Sequence, residues 1–231
     1  MSRRAPPGSR RGASVRVKTA RGRKPSSTRW LKRQLNDPYV RAAKDAGYRS
    51  RAAFKLMELD ERFQLFKGAR RVLDLGAAPG GWSQAALERL GAGGTVVAAD
   101  LSAMEPLAGT TVLQLDALDP ESLPVLRGAL GAAADIVLSD MAAPSTGHSG
   151  TDHIRVMALC EAALDIAEDV LAPGGAFVAK VLKGGTEKQL LDRLKRGFAK
   201  VRHAKPPASR DDSAEVYVIA QGFRGLSPED G

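Results

Sequence analysis

Cysteine is nearly absent from these 231 residues: Cys160 stands alone. That excludes an intramolecular disulfide and any zinc site built on paired cysteines, and it fits a reducing cytoplasm. Histidine is scarce too. His148, His153 and His203 have no H-E-x-x-H context, so no metal is expected. Aromatic residues make up 5%, which leaves Leu, Val, Ile and Ala to fill the core and few rings for stacking on bases. No apolar run reaches the roughly 18 residues a membrane helix needs, and the N-terminus lacks the apolar stretch of a secretory signal. An Arg-rich leader can also be a transit peptide, but Pro6, Pro7, Gly8, Gly12 and Gly22 work against an amphipathic helix. Acid is missing from one place in particular. Residues 1–30 hold ten Lys or Arg and no Asp or Glu, leaving 25 basic against 26 acidic residues in the rest. The net charge of +9 therefore lives in the tail. A basic arm on a near-neutral domain points to a polyanionic partner, most simply nucleic acid.

What is present divides the chain into four stretches. Residues 1–28 read as a disordered basic tail of Arg, Ser, Pro and Gly. Residues 29–67 read as a basic helical extension, with order beginning near Trp30. In it Lys32, Arg33, Arg41, Lys44, Arg49, Arg51 and Lys55 are interleaved with the apolar set Ala52, Phe54, Leu56, Leu59, Phe63 and Leu65. Lys32, Arg33, Arg41, Arg49 and Arg51 could form an ordinary solvated face, but their density just ahead of Lys55 favours a track for RNA phosphates. Residues 68–224 form the main domain, and 225–231 a short C-terminal tail.

Within the main domain short apolar strands alternate with helices. Strands are expected at 71–75, 95–99, 111–115, 135–139 and 176–182, and helices at 81–90, 120–130, 152–171 and 187–198. Asp119 is expected to cap a helix with Pro120 at its first position, and Thr186 with Gln189 to make a capping box. Cys160 shares an apolar stripe with Met157, Leu164, Ala167 and Leu171, so it reads as a small buried hydrophobe. Two late strands, 201–204 and 215–220, have no helix between them and should pair as an antiparallel edge hairpin. The expected fold is α/β and Rossmann-like, a mostly parallel doubly wound sheet ending in that hairpin.

In such a sheet the ligand lies beyond the carboxyl ends of the strands. The run Asp74-Leu75-Gly76-Ala77-Ala78-Pro79-Gly80-Gly81-Trp82 follows the first strand, and its glycines let backbone approach a ligand. Asp100 closes the second strand, where a carboxylate can accept ribose hydroxyls. Asp116 closes the third and could receive an adenine amino group. The turn lacks G-x-G-x-x-G, no G-x-x-x-x-G-K-[ST] loop exists, and Asp74 sits where a pyrophosphate would approach. An acidic pocket of this kind favours a cationic sulfonium, S-adenosyl-L-methionine, over a dinucleotide. The expected cofactor-binding set is Asp74, Gly76, Gly80, Trp82, Asp100, Asp116 and Asp140. Trp82 could lie over the cofactor, anchor its helix, or do both.

Lys180 interrupts the apolar strand Phe177-Val178-Ala179-Lys180-Val181-Leu182, and a buried lysine is costly unless paired. A structural ion pair and a catalytic role are both consistent with that.

From Trp30 to Gly222 the chain resembles the bacterial FtsJ (RlmE) family of large-subunit ribosomal RNA uridine 2′-O-methyltransferases. The resemblance rests on Tyr48-Arg49-Ser50-Arg51-Ala52-Ala53-Phe54-Lys55-Leu56, Asp74 through Gln84, Ser139-Asp140-Met141-Ala142, Leu171-Ala172-Pro173-Gly174-Gly175 and Ser213-Ala214-Glu215-Val216-Tyr217. It implies a catalytic tetrad of Lys55, Asp140, Lys180 and Glu215. Lys180 would take the 2′-hydroxyl proton, Asp140 would hold Lys180, and Glu215 would orient one of the lysines. The implied partner is 23S rRNA in the large (50S) ribosomal subunit, with the enzyme a cytoplasmic monomer. Two rivals remain, a transfer RNA or cap 2′-O-methyltransferase and a catalytically silent ribosome-assembly factor. After Asp140 the loop Met141-Ala142-Ala143-Pro144-Ser145-Thr146-Gly147-His148 departs from the family, with its proline shifted by one and no asparagine.

Overall fold

A computed structural model describes residues 25–144, 146–182 and 188–225; the basic tail up to Lys24 and the Thr186 capping box lie outside them. Three helices come first: α1 (Pro25–Asn36), α2 (Pro38–Ala46) and α3 (Ala52–Phe63). Helix α1 begins at Pro25, so residues 25–28, expected in the disordered tail, are helical instead. Asp37 starts α2 by accepting from the Tyr39 N–H, with Pro38 in the first turn, and Gly47 ends it in the left-handed conformation.

The main domain then runs β1 (Arg71–Leu75), α4 (Gly81–Leu90), β2 (Thr95–Asp100), β3 (Thr110–Gln114), α5 (Ser122–Leu130), β4 (Ala134–Ser139), α6 (Ser149–Val170), β5 (Leu171–Leu182), α7 (Lys188–Gly197), β6 (Phe198–Ala204) and β7 (Glu215–Phe223). These strands form one seven-stranded sheet in the order β3-β2-β1-β4-β5-β7-β6. Strands β1 to β5 pair in parallel, whereas β7 pairs antiparallel with both β5 and β6. The C-terminal hairpin thus closes one edge, as the missing helix between its strands requires.

Side-chain alternation along the strands sorts the core into two layers. Leu73, Leu75, Phe177, Ala179, Val181, Val218 and Ala220 pack with residues of α5, α6 and α7. Val72, Ile136, Leu138, Ala176, Val178, Tyr217 and Ile219 pack with α3 and α4. Cys160 lies in the first layer, and burial pushes its thiol up to about 12.

Two boundary expectations are corrected. Helix α5 begins at Ser122 rather than Pro120, because Asp119 serves the turn before it: its Oδ1 accepts from the Glu121 N–H at 3.0 Å and its carbonyl from the Ser122 N–H at 2.9 Å. Strand β3 ends at Gln114, so Asp116 stands in the following turn instead of closing the strand. Among the described residues no helix is long and apolar enough to cross a membrane, and no group of three or more His, Cys, Asp or Glu is placed to hold a metal ion.

Candidate active site

The sheet order reverses between β1 and β4, and the chain leaving each strand meets the other there. The Asp140 N–H donates to the Leu75 carbonyl at 3.2 Å. A Cβ on Gly76 would stand 2.8 Å from the Met141 backbone, and Gly76 has φ +71°, so only glycine fits where these segments cross. The turn bends back onto β2: the Gly76 and Ala77 N–H groups both donate to the Ala99 carbonyl, at 2.8 and 3.2 Å.

Asp100 holds the turn and the segment after β2. Its Oδ2 accepts from the Ala78 N–H at 2.9 Å and its Oδ1 from the Ser102 N–H at 2.7 Å. Each oxygen keeps a lone pair for a further donor. Asp116 is exposed, and its Oδ1 accepts from the Leu118 N–H at 2.9 Å.

Asp74 is fully buried; its Oδ2 accepts from Ser83 Oγ at 2.6 Å, while its Oδ1 has no protein partner. Burial pushes this carboxyl up to about 7, and the charges of Asp140 and Asp100 push the same way, against the Ser83 hydrogen bond. An orphaned buried carboxylate oxygen, an open glycine turn and acids beside both suit a cationic adenosine ligand. They would repel a diphosphate. The residues present therefore fit S-adenosylmethionine.

Trp82 turns away from this pocket. The residue is 2% exposed, its Nε1–H donates to the Ala52 carbonyl at 2.8 Å, and its ring packs on Tyr217 with centroids 5.5 Å apart. The indole anchors α4 to α3, which leaves Trp82 only its backbone, at the start of α4, to offer a ligand.

Beyond the switch point a polar cluster sits on the α3/α4 face of the sheet. Lys180 and Tyr217 are opposite each other in the β5–β7 register, and Leu182 is opposite Glu215, so Lys180, Tyr217 and Glu215 share one face. Asp140, two residues beyond Leu138, continues that face from β4. Lys55 reaches in from the first turns of α3. The contacts form a chain. Lys55 Nζ donates to Glu215 Oε2 at 2.9 Å and to the Tyr217 hydroxyl oxygen at 3.1 Å. The Tyr217 hydroxyl donates to Asp140 Oδ1 at 2.8 Å. Lys180 Nζ lies 3.3 Å from Asp140 Oδ1 and donates to the Asp140 carbonyl at 2.6 Å. Lys55 and Lys180 are 8% and 7% exposed, so both charges are nearly out of water yet each has a carboxylate. Burial, followed by the charges of Asp140 and Glu215, drives the Tyr217 phenol well above its ordinary range; it is a neutral hydrogen-bonding group here.

The four residues that the resemblance groups, Lys55, Asp140, Lys180 and Glu215, are neighbours in the fold, but the grouping leaves out Tyr217, the residue that joins them. A signal for it exists. Tyr217 is two residues from Glu215 in the same strand, hence on the same face. The expected RNA track is also altered at its C-terminal end. The Arg51 guanidinium is engaged by Asp37 and the Ala208 carbonyl, and that of Arg49 by three backbone carbonyls.

A glycine turn at the switch point of a doubly wound sheet, without phosphate-binding spacing and with two buried lysines nearby, is the layout of a Rossmann-like methyltransferase. Residues 48–223 match the FtsJ-like methyltransferase family, and the chain belongs to it. It is 60% identical over 227 residues to the "Ribosomal RNA large subunit methyltransferase E" of Paramagnetospirillum magneticum, covering 96% of this chain and 93% of that protein. The protein of the same name from Rhodospirillum rubrum is 63% identical over 227 residues, covering 96% and 86%. Among solved structures, a Plasmodium falciparum protein assigned as a ribosomal RNA methyltransferase superposes with a TM-score of 0.69 at 29% identity, covering 78% of this chain and all of that one.

Proposed function

We propose that this protein methylates the 2′-oxygen of a uridine ribose in the 23S RNA of the large ribosomal subunit, with S-adenosylmethionine as donor. The observation that carries the reading is the unbroken polar chain from Lys55 through Tyr217 and Asp140 to Lys180, set beside the glycine turn. The names of relatives at 56–63% identity support the ribosomal target.

Bound in the pocket, S-adenosylmethionine supplies a methyl group already activated by its sulfonium. The protein's task is therefore alignment and removal of one proton. Asp100 would take the ribose hydroxyls, Asp116 the adenine edge, and the backbone of Gly76, Gly80 and Trp82 the remainder, with Asp140 supplying negative charge and Asp74 doing so once a bound cation displaces its proton. Lys180 Nζ would act as the neutral amine: it gives its ammonium proton to solvent before the reaction, then receives the 2′-hydroxyl proton as the oxygen becomes a nucleophile. Asp140 fixes Lys180 through its carboxylate and its carbonyl, so the acceptor has one position. Lys55, held by Glu215 and Tyr217, presents positive charge that can steady the oxygen as it loses its proton.

The test is an incubation with labelled donor and three substrates: large subunits, free ribosomal RNA and transfer RNA. Label is expected in large-subunit RNA, at a nucleotide whose 3′ linkage resists alkali because its 2′-oxygen is blocked. Label in transfer RNA alone rejects the substrate. Donor binding without transfer to any of the three favours a silent assembly factor.

A further inference from the structure

Arg49 lies in the segment between α2 and α3, where sequence reasoning places a contact to RNA phosphates. Its guanidinium points the other way. One nitrogen, Nη1, donates to the Pro79 carbonyl at 3.2 Å and to the Glu105 carbonyl at 2.7 Å; the other, Nη2, donates to the Pro106 carbonyl at 2.7 Å. Pro79 belongs to the glycine turn after β1. Glu105 and Pro106 belong to the connection after β2. Both segments leave the carboxyl ends of adjacent strands, where the donor is proposed to bind, and Asp100 also joins them through Ala78 and Ser102. The fit is close. Gly80, at φ +106°, is where a Cβ would meet Arg49 Nη1 at 3.1 Å, Arg49 Cδ at 3.2 Å and Met104 Sδ at 3.1 Å. The Arg49 backbone is pinned as well, its N–H donating to Gln84 Oε1 at 2.7 Å, while Gln84 Nε2 donates to the Gly47 carbonyl at 3.1 Å.

We propose that Arg49 is a positioning residue for the methyl-donor pocket: a latch from the helical extension that holds the glycine turn and the 101–106 connection at a fixed separation. This rests on the pocket being the donor site. The planar fork matters, because one cation must satisfy three carbonyls from two separate segments. A lysine is a point charge and cannot span them. Without the fork the two segments lose this tie, and the cost falls on donor affinity, since the pocket must then be ordered by the ligand itself.

The test compares the wild-type protein with Arg49→Lys and Arg49→Gln in S-adenosylmethionine binding by calorimetry, and in turnover on large subunits. Both variants are expected to bind the donor about tenfold or more weakly. The loss should appear in KM for the donor rather than in kcat, with the salt dependence of RNA binding unchanged. Donor affinity within about twofold of wild type, or a shallower salt dependence with donor affinity intact, overturns the latch and returns Arg49 to the RNA face. A wild-type measurement needs no variant to fold. Donor binding should slow amide exchange in 101–106 together with 76–80, and slowing confined to 76–80 overturns the latch. If wild-type protein binds no donor at all, the proposed function fails and not merely the role of Arg49.

Discussion

The Tyr217 hydroxyl stands between two charges, accepting from Lys55 Nζ at 3.1 Å and donating to Asp140 Oδ1 at 2.8 Å. Among the described residues it is the bridge between the lysine that arrives on α3 and the lysine embedded in β5. Tyr217→Phe keeps the ring packed on Trp82 and deletes the bridge. The expected outcome is a kcat lower by about tenfold or more and a stability loss of about 1 kcal/mol, read by single-turnover kinetics and urea unfolding.

Lys180→Ala removes the group placed to take the proton. Turnover should fall roughly 10²–10⁴-fold while donor affinity stays close to wild type. A rate near wild type, with donor binding intact, would sink the general-base role.

Asp74 gives a pH signature. Its carboxyl is raised by burial from the ordinary range to about 7, so the folded chain holds a proton that the unfolded chain releases. Stability from this group is therefore complete below about pH 4, falls as pH rises toward 7, and is level above that. Asp74→Asn should remove this slope and raise the stability of the ligand-free protein at pH 8 relative to pH 5. Urea unfolding at the two values checks it. A wild-type slope that survives the substitution assigns the dependence to other groups.

Asp37 is a buried node outside the reaction centre. It accepts from the Tyr39 N–H and pairs with Arg51 and Arg210, while Arg51 also reaches the Ala208 carbonyl and Glu58 accepts from the Ala208 N–H at 2.6 Å. The loop leading into β7 is tied to the helical extension through these contacts. Asp37→Asn leaves two guanidinium groups without this counter-charge. Roughly 1–3 kcal/mol of stability should be lost, with the thermal transition remaining cooperative.

The basic arm is tested by deleting residues 1–24, which stops short of α1. RNA affinity should fall at low salt, and the plot of log K against log salt should flatten by roughly 0.7–0.9 for each phosphate the arm would otherwise neutralise. An unchanged slope would show that the arm does not touch RNA.

Much of this is legible in the sequence, for a specific reason. Lys180 is an anomaly inside an apolar strand, the resemblance supplies Lys55, Asp140 and Glu215 as its partners, and strand alternation puts Lys180 and Glu215 on definite faces. The parallel pairing of the main sheet and the antiparallel closing hairpin follow from where helices are and are not interposed. What escapes a reading of the sequence depends on direction rather than identity. Trp82 follows a glycine turn and could face the ligand, but the turn of α4 aims its indole at Ala52. Arg49 and Arg51 read as surface cations because nothing in a sequence says that three carbonyls, or a buried Asp37, wait within reach. Tyr217 escapes notice because a tyrosine in an apolar strand is ordinary until its hydroxyl finds two charged partners.

The register that sets Lys180 against Tyr217 also fixes when the site can exist. Lys55, Asp140 and Lys180 leave the ribosome early, but their connecting hydroxyl arrives only with residue 217, on a strand that inserts between β5 and β6. A nascent chain therefore carries two lysines and a carboxylate with no common tether until β7 slides into place. The polar chain is therefore continuous only once β7 lies in the sheet, which makes the last strand of the fold a part of the site as well as of the core.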